Sequence, residues 1–365
     1  MLARELDFHL PPHLIAQTPL EPRDAARLLV LRRNSGEITH RVVRDLPDLL
    51  QRGDLLVFND TRVLRARLRG FKPTGGRVEA LLLKERGKNC WEALLKPSKS
   101  LKIGGEVEWV SPDESLRVAS RLAERNDEAW QLQFSPPNDA DIRDLLPVLG
   151  EVPLPPYIRA SAEEARYQTT FSRLKTEGNP LDSAAAPTAG LHFTPELLLR
   201  LQERGIESAF VTLAVGAGTF RPVQSESLDE HPMHAEEFSI SAQTAAQINA
   251  QKARGGRVVA VGTTTVRTLE SVADARGHVA AGEAQTSIFI RPGFEFRCVD
   301  ALLTNFHLPR STLLALVGAF AESKRAPQNG ENGSKSGLAT IHAAYAEAIA
   351  HEYRFFSFGD AMLID

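Results

Sequence analysis

Cysteine is nearly absent from this sequence. Cys90 and Cys298 are the only two in 365 residues. They lie far apart and form no C-x-x-C pair, which argues against a disulfide framework or a cysteine-rich zinc site and suits a reducing cytoplasm. Long apolar runs are missing too: the longest, Leu313 to Ala321, is too short to cross a bilayer. The N-terminal stretch MLARELDFHLPPHLIAQTPL mixes charges with prolines and does not read as a signal peptide. Neither sign of charge dominates, since 43 Lys and Arg stand against 46 Asp and Glu for a net −3. A nucleic-acid partner would therefore have to meet a local basic face. The motifs G-x-x-x-x-G-K-[ST], G-x-S-x-G and H-E-x-x-H do not occur, which argues against P-loop nucleotide hydrolysis, a serine-hydrolase elbow and a zincin. There are no internal repeats.

What is present is ordinary globular composition, 42% hydrophobic and 24% charged. The length suits two domains, or one with an insertion. RLLVLRR reads as a strand, followed by a short helix ending near Leu50 and the strand DLLVFN. From Val63 to Phe134 six short runs with strand texture follow: VLRARLRGF, RVEALLLKE, CWEALLKP, GEVEWV, SLRVASRL and AWQLQF. With no helical period between them, they are best stabilised by closing into a barrel, which removes exposed edges. Beyond Phe134 helix and strand alternate. Helices are read in TPELLLRLQERG, SAQTAAQINAQKARGG, GTTTVRTLESV, STLLALVGAFAES and ATIHAAYAEAIAHEY, and strands in ESAFVTLAV, RVVAV, TSIFIRP, FRCVDALLTN and AMLI. Thr194, Pro195 and Gly205 mark the first of these helices. The expected fold class is α/β, a mainly parallel sheet sandwiched between helix layers, with an inserted six-stranded antiparallel β-barrel. The expected domains are residues 1–62 and 146–365 for the sandwich and 63–145 for the barrel. Segments 174–184 and 327–337 read as loops.

Several segments carry polar groups at places suited to ligands. VTLAVGAGTFRPV empties a strand into Gly216-Ala217-Gly218, with Thr219 beyond. A G-x-G of this kind can receive a nucleotide, although Pro222 and the missing third glycine fit a plain turn equally. AAAPTAGLHFTPELL sets Thr188, Gly190 and His192 before a helix N-terminus, which favours a carboxylate or phosphate, although a tight turn whose His192 merely caps the helix fits as well. In GTTTVRTLES, Thr263, Thr264 and Thr265 offer hydroxyls and Arg267 can grip a carboxylate bidentately, while helix capping explains the threonines as well. EHPMHAEEF brings together His231, His234 and Glu236, as acid, base or substrate contacts, as a zinc set that Pro232 spoils, or as a surface accident. TNFHLPRST puts Asn305 and His307 at a strand end, and FNDTRV puts Asp60 and Arg62 at the domain junction, a natural cleft. Arg65, Arg67 and Arg69 share one face of a strand and, with Lys72, present positive charge to a polyanion or simply to solvent.

As an ordered series these segments are specific. LIAQTPLEPRDAARLLVL, DLLVFNDTRVLRARL, AAPTAGLHFT, VTLAVGAGTFRPV, EHPMHAE, VGTTTVRTLES, TNFHLPRSTLLALV and YRFFSFGDAML closely resemble, in order, the S-adenosylmethionine:tRNA ribosyltransferase-isomerases of queuosine biosynthesis, over almost the whole chain. The resemblance implies a cytoplasmic tRNA-modifying enzyme built as an α/β/α sandwich with an inserted six-stranded barrel. It implies S-adenosylmethionine as a ribosyl donor consumed in the reaction and a tRNA with a GUN anticodon as partner; no metal is implied, and the protein is expected to be a monomer without a membrane. The acceptor would be the aminomethyl group of a 7-deazaguanine at the wobble position, and the products epoxyqueuosine, adenine and methionine. Three departures stand out: Ala214 where the family commonly has histidine, Phe358 where tyrosine is common, and the two longer loops.

Chemistry of that kind needs a base for a C5′ proton made acidic by the sulfonium, a proton donor for departing adenine, and a neutral acceptor amine. In the matching segments the available groups are His192, Glu236, His234, His307 and Asp60, with His192 and Glu236 first. Arg62, Thr188, Gly190, Gly216, Gly218, Thr219, His231, Thr263, Thr264, Thr265, Arg267 and Asn305 are the expected substrate contacts. Arg267 and the threonines would hold either the methionine carboxylate or an anticodon phosphate. Two rivals remain from the sequence: a methyltransferase using the glycine turn as donor loop, and an RNA-binding module built on the barrel.

Overall fold

The computed structural model describes residues 1–126, 129–155, 157–158, 166–173, 182–216, 225–322 and 336–365. Alternation of apolar residues along the strands decides how its layers form. In β1 (Arg27–Leu31), Leu28 and Val30 face one core while Leu29 and Leu31 face another. The same division recurs in β3 (Leu55–Asn59) and β12 (Val258–Val261), which are buried on both faces. A sheet apolar on both faces must be covered twice.

One cover contains α4 (Ala242–Ala253), α5 (Thr263–Val272), α6 (Thr312–Phe320) and α7 (Gly337–Ala350); the other contains α1 (Leu46–Leu49) and α3 (Pro195–Glu203). The caps read from sequence are present. The Thr194 side chain accepts from the Leu197 N–H at 3.1 Å, Pro195 opens α3, and Gly205 closes it with φ +76°.

The sheet completes with β2 (Ile38–Val42), β10 (Glu207–Leu213), β11 (Glu236–Ile240), β13 (Gly282–Thr286), β14 (Ala301–Asn305) and β15 (Ala361–Ile364). Its order is β13-β11-β10-β3-β12-β14-β15-β1-β2. Only four of the eight neighbouring pairs are parallel, so the sheet is mixed rather than mainly parallel. The parallel block is β10-β3-β12-β14; antiparallel partners, β11 and β15, flank it on both sides. Another difference concerns TSIFIRP, read as a strand. The strand lies just before it, at Gly282–Thr286, and residues 287–292 leave the ladder. Strands β2 and β11 were not foreseen.

The six foreseen barrel strands form: β4 (Arg67–Phe71), β5 (Arg77–Gly87), β6 (Cys90–Lys96), β7 (Glu106–Val110), β8 (Arg117–Asn126) and β9 (Ala129–Ser135). They close antiparallel in the order β4-β5-β6-β9-β8-β7. Trp91, Trp109 and Trp130 fill the interior, and Trp109 Nε1–H donates to Ser120 Oγ at 2.8 Å. Helix α2 (Ile142–Leu149) sends Ile142, Leu146 and Leu149 into the same core. The barrel meets the sandwich through an ion pair between Lys84 of β5 and Glu237 of β11, and through Arg143, which joins Glu85 to Asp182. No helix among the described residues is long and apolar enough to cross a membrane.

Candidate active site

Four parallel strands end along one edge of the sheet, and the expected polar residues sit there. Asn59 closes β3, Val215 and Gly216 follow β10, Gly262 and Thr263 follow β12, and Asn305 closes β14. Such an edge, outside the carboxyl ends of parallel strands, is where open α/β sheets place ligands. Antiparallel β11 begins at the same edge, which brings Glu236 beside Gly216.

Asn59, absent from the sequence reading, ties the edge together. Its side-chain amide donates to the Leu213 carbonyl at 3.1 Å and to Thr264 Oγ1 at 3.3 Å. Its oxygen accepts from the N–H groups of Leu213 at 3.0 Å and Thr61 at 3.1 Å. Ser183 is a second unforeseen staple, accepting from the Val215 N–H at 2.8 Å. Both act through backbone groups distant in sequence, so no local pattern announces them. Gly262 has φ +92°, a conformation costly for any side chain, and turns β12 into α5.

Two cavities open at this edge. One is lined by Thr188, Val215, Thr263, Thr264, Asn305 and His307, among others. The second is lined by Gly216, His231, His234, Glu236 and Arg267, with apolar walls that include Ile288, Ile290 and Leu316. Leu313 lines both. The cavities are thus neighbours separated by the start of the glycine turn. Gly218 and Thr219 lie outside the described residues.

Arg267 and Glu236 are the charged heart of the second cavity. They are 5% and 6% exposed and ion-paired, with Arg267 Nη1 donating to Glu236 Oε2. Glu236 Oε1 accepts the Gly216 N–H at 3.1 Å. Arg267 Nε and Nη2 are buried and meet no acceptor among the described residues. His231 is half-buried against Phe289, and burial, followed by the charge of His234, depresses its pKa.

The two other foreseen histidines are buried and neutral. His192 is pushed down to about 4, first by burial and then by the charges of Arg354 and Arg23. Its Nε2 accepts from Asn305 Nδ2 at 3.2 Å, and it also bonds the Arg23 backbone. Asn305 in turn accepts from Thr188 Oγ1 at 3.0 Å and donates to the Phe356 carbonyl at 3.2 Å. His192 therefore stands behind Asn305, and Gly190 is packed under Phe171 and Thr169. His307 is pushed down to about 3 by burial and pairs its Nε2 with Thr304 Oγ1 at 3.0 Å.

Asp60 accepts from Thr212 Oγ1 at 2.7 Å and pairs with Arg173; burial still raises its pKa. Arg62 is half-buried at the junction, where its carbonyl accepts the Ser183 N–H at 2.8 Å. Thr265 is the member of its cluster that turns away: fully buried, it gives its hydroxyl to the Val261 carbonyl at 2.8 Å.

The basic stripe is only partly a stripe. Arg65 precedes β4 and donates to the Gly150 carbonyl at 2.7 Å. Arg67 pairs with Glu79 at 3.0 Å and Arg69 with Glu151 at 2.8 Å. Lys72 Nζ meets Ser100 Oγ at 3.3 Å, a neutral partner. Acids brought across from other segments cancel charge that the local run presented alone.

A family model described as queuosine biosynthesis protein matches residues 3–364. S-adenosylmethionine:tRNA ribosyltransferase-isomerases from Symbiobacterium thermophilum and Moorella thermoacetica are 50% and 48% identical, each over 100% of both chains. The crystal structure of S-adenosylmethionine tRNA ribosyltransferase from Thermotoga maritima matches with a TM-score of 0.53 at 36% identity, over 99% of this chain and 100% of that one. The chain belongs to the queuosine biosynthesis protein family, alongside these ribosyltransferase-isomerases.

Proposed function

We propose that this protein is a cytoplasmic tRNA ribosyltransferase-isomerase. It transfers the ribosyl moiety of S-adenosylmethionine to the aminomethyl group of 7-aminomethyl-7-deazaguanine at the wobble position of GUN-anticodon tRNA. Epoxyqueuosine forms, and adenine and methionine are released. The observation that carries this reading is the pair of adjoining cavities at the carboxyl ends of β3, β10, β12 and β14, in a chain related along its full length to enzymes bearing that name. The donor spans both cavities, with its sulfonium near Gly216 and Leu313. The protein works as a monomer without a metal, residues 1–62 and 146–365 forming the catalytic unit and 63–145 the barrel, whose core also takes Leu146 and Leu149 of α2.

Thr188, Thr263, Thr264 and Asn305 line the nucleoside side. His192 acts there as a positioning residue: its neutral ring fixes the Asn305 amide rather than meeting substrate. His231 and His234 line the second cavity, and a depressed pKa keeps His231 unprotonated at neutral pH and able to accept a proton. His307 completes the polar wall of the nucleoside side, while Asp60 is bonded to Thr212 and Arg173. The wobble base enters as a single-stranded, splayed nucleotide, so no duplex groove has to be read.

One incubation tests the reading. S-adenosylmethionine and tRNA carrying the aminomethyl-deazaguanine are combined and the products resolved. Free adenine together with epoxyqueuosine in the tRNA supports it. S-adenosylhomocysteine would make the protein a methyltransferase, and tRNA binding without donor consumption would leave a binding module. Ala214 is tolerated if turnover occurs. On the tRNA side, Lys72 pairs with no acid among the described residues, unlike Arg67 and Arg69. Lys72→Met is expected to reduce the slope of log affinity against log salt by about one; an unchanged slope removes Lys72 from the interface.

A further inference from the structure

Arginine has two edges, and in Arg267 they are used differently. The end nitrogen Nη1 is committed to Glu236, while Nε and Nη2, which together form the flat side edge, are buried without an acceptor among the described residues. Two parallel N–H donors on that edge match the two oxygens of a carboxylate. Leaving them unpaired costs free energy that a ligand would restore. The guanidinium lines the cavity with Glu236, His231 and His234, against the apolar walls of Ile288 and Leu316.

We infer that this cavity is a receptor for an α-amino-acid zwitterion, its carboxylate on the Nε/Nη2 edge of Arg267 and its ammonium toward Glu236. Charge balance favours this ligand over a phosphate. The buried Arg267–Glu236 pair is neutral, and so is the zwitterion. A phosphate would bring one or two uncompensated negative charges beside the Glu236 carboxylate, where little water screens them. The aliphatic walls suit a methylene chain. Resting on the function proposed above, the amino-acid end of S-adenosylmethionine occupies this cavity and the nucleoside its neighbour. Glu236 then holds the donor instead of serving as its base, since one oxygen is paired with Arg267 and the other accepts the Gly216 N–H.

The test compares S-adenosylmethionine with its decarboxylated analogue by calorimetry, on the wild type and on Arg267→Lys. Lysine keeps a cation for Glu236 but has no fork. The wild type is expected to bind the decarboxylated analogue at least tenfold more weakly. Arg267→Lys is expected to lose at least tenfold for S-adenosylmethionine and little for the analogue. Equal losses for both ligands would make Arg267 merely structural and overturn the inference. Displacement of the donor by inorganic phosphate but not by L-methionine would overturn it too. If the wild type binds no S-adenosylmethionine, the functional reading fails, and L-methionine alone decides the inference: binding that Arg267→Lys abolishes supports it, and no binding overturns it.

Discussion

Arg267→Met is expected to lower the unfolding free energy by about 3–5 kcal/mol, because it takes the Arg267 cation away from the buried Glu236 carboxylate. The cost is the uncompensated charge rather than the lost attraction. Taking both groups out of water already cost nearly as much as their pairing returned. The double variant Glu236→Leu with Arg267→Met is therefore expected to recover most of the stability while losing donor binding. Urea denaturation of the two single variants and the double variant measures this directly. A double variant as unstable as the sum of the singles would mean the pair itself stabilises the fold. This separation matters for function, since folding and binding then depend on the same residues for different reasons.

The second large effect is on pH dependence. His192 titrates at about 4 and His307 at about 3 in the folded protein, against about 6.5 when unfolded. Both folded values are depressed, so below about pH 6.5 the unfolded chain binds protons that the native one refuses. Their contribution is fully present above pH 6.5 and is lost as the pH falls. Between about pH 6.5 and 4 the loss amounts to about 3 kcal/mol per pH unit for the two together. Below about 4 native His192 begins to protonate and the slope halves. Removing one group isolates the effect from the carboxylates: His307→Gln should lose about half of this slope over the same window. Stability measured at pH 4.5, 5.5 and 7 checks it, and identical slopes in the two proteins would show that His307 protonates without opposing burial.

Much of the architecture was legible because its determinants are local. The Thr194-Pro195 start and Gly205 stop of α3 need only neighbouring residues, and six alternating strands with no helix between them leave few options besides closure. Strand β11 was not legible: in EEFSI only Phe238 and Ile240 are buried apolar residues, and its partners lie far away in sequence. TSIFIRP misled for the opposite reason. Its apolar residues are needed, but Ile288 and Ile290 wall the cavity instead of pairing in the sheet.

The site divides similarly. Arg267 was found from its own motif, but its partner Glu236 belongs to another element and its orphaned edge only appears once both are buried. His192 attracted attention as a chemical group, whereas its ring turns out to be held behind Asn305. The basic run at β4 was read without Glu79 and Glu151, which the fold brings alongside.

Strand β11 has one more consequence. Consecutive side chains point to opposite faces, so Glu236 addresses the cavity while Glu237 addresses Lys84 on the barrel. Ladders to β10 and β13 hold that phase from both sides. Inserting or deleting a single residue between Pro232 and Glu236 would have to be absorbed in the loop or else exchange the two carboxylates. In this part of the gene, then, a change of length is more damaging than most changes of letter, and the spacing from Pro232 to Glu236 is itself a functional element.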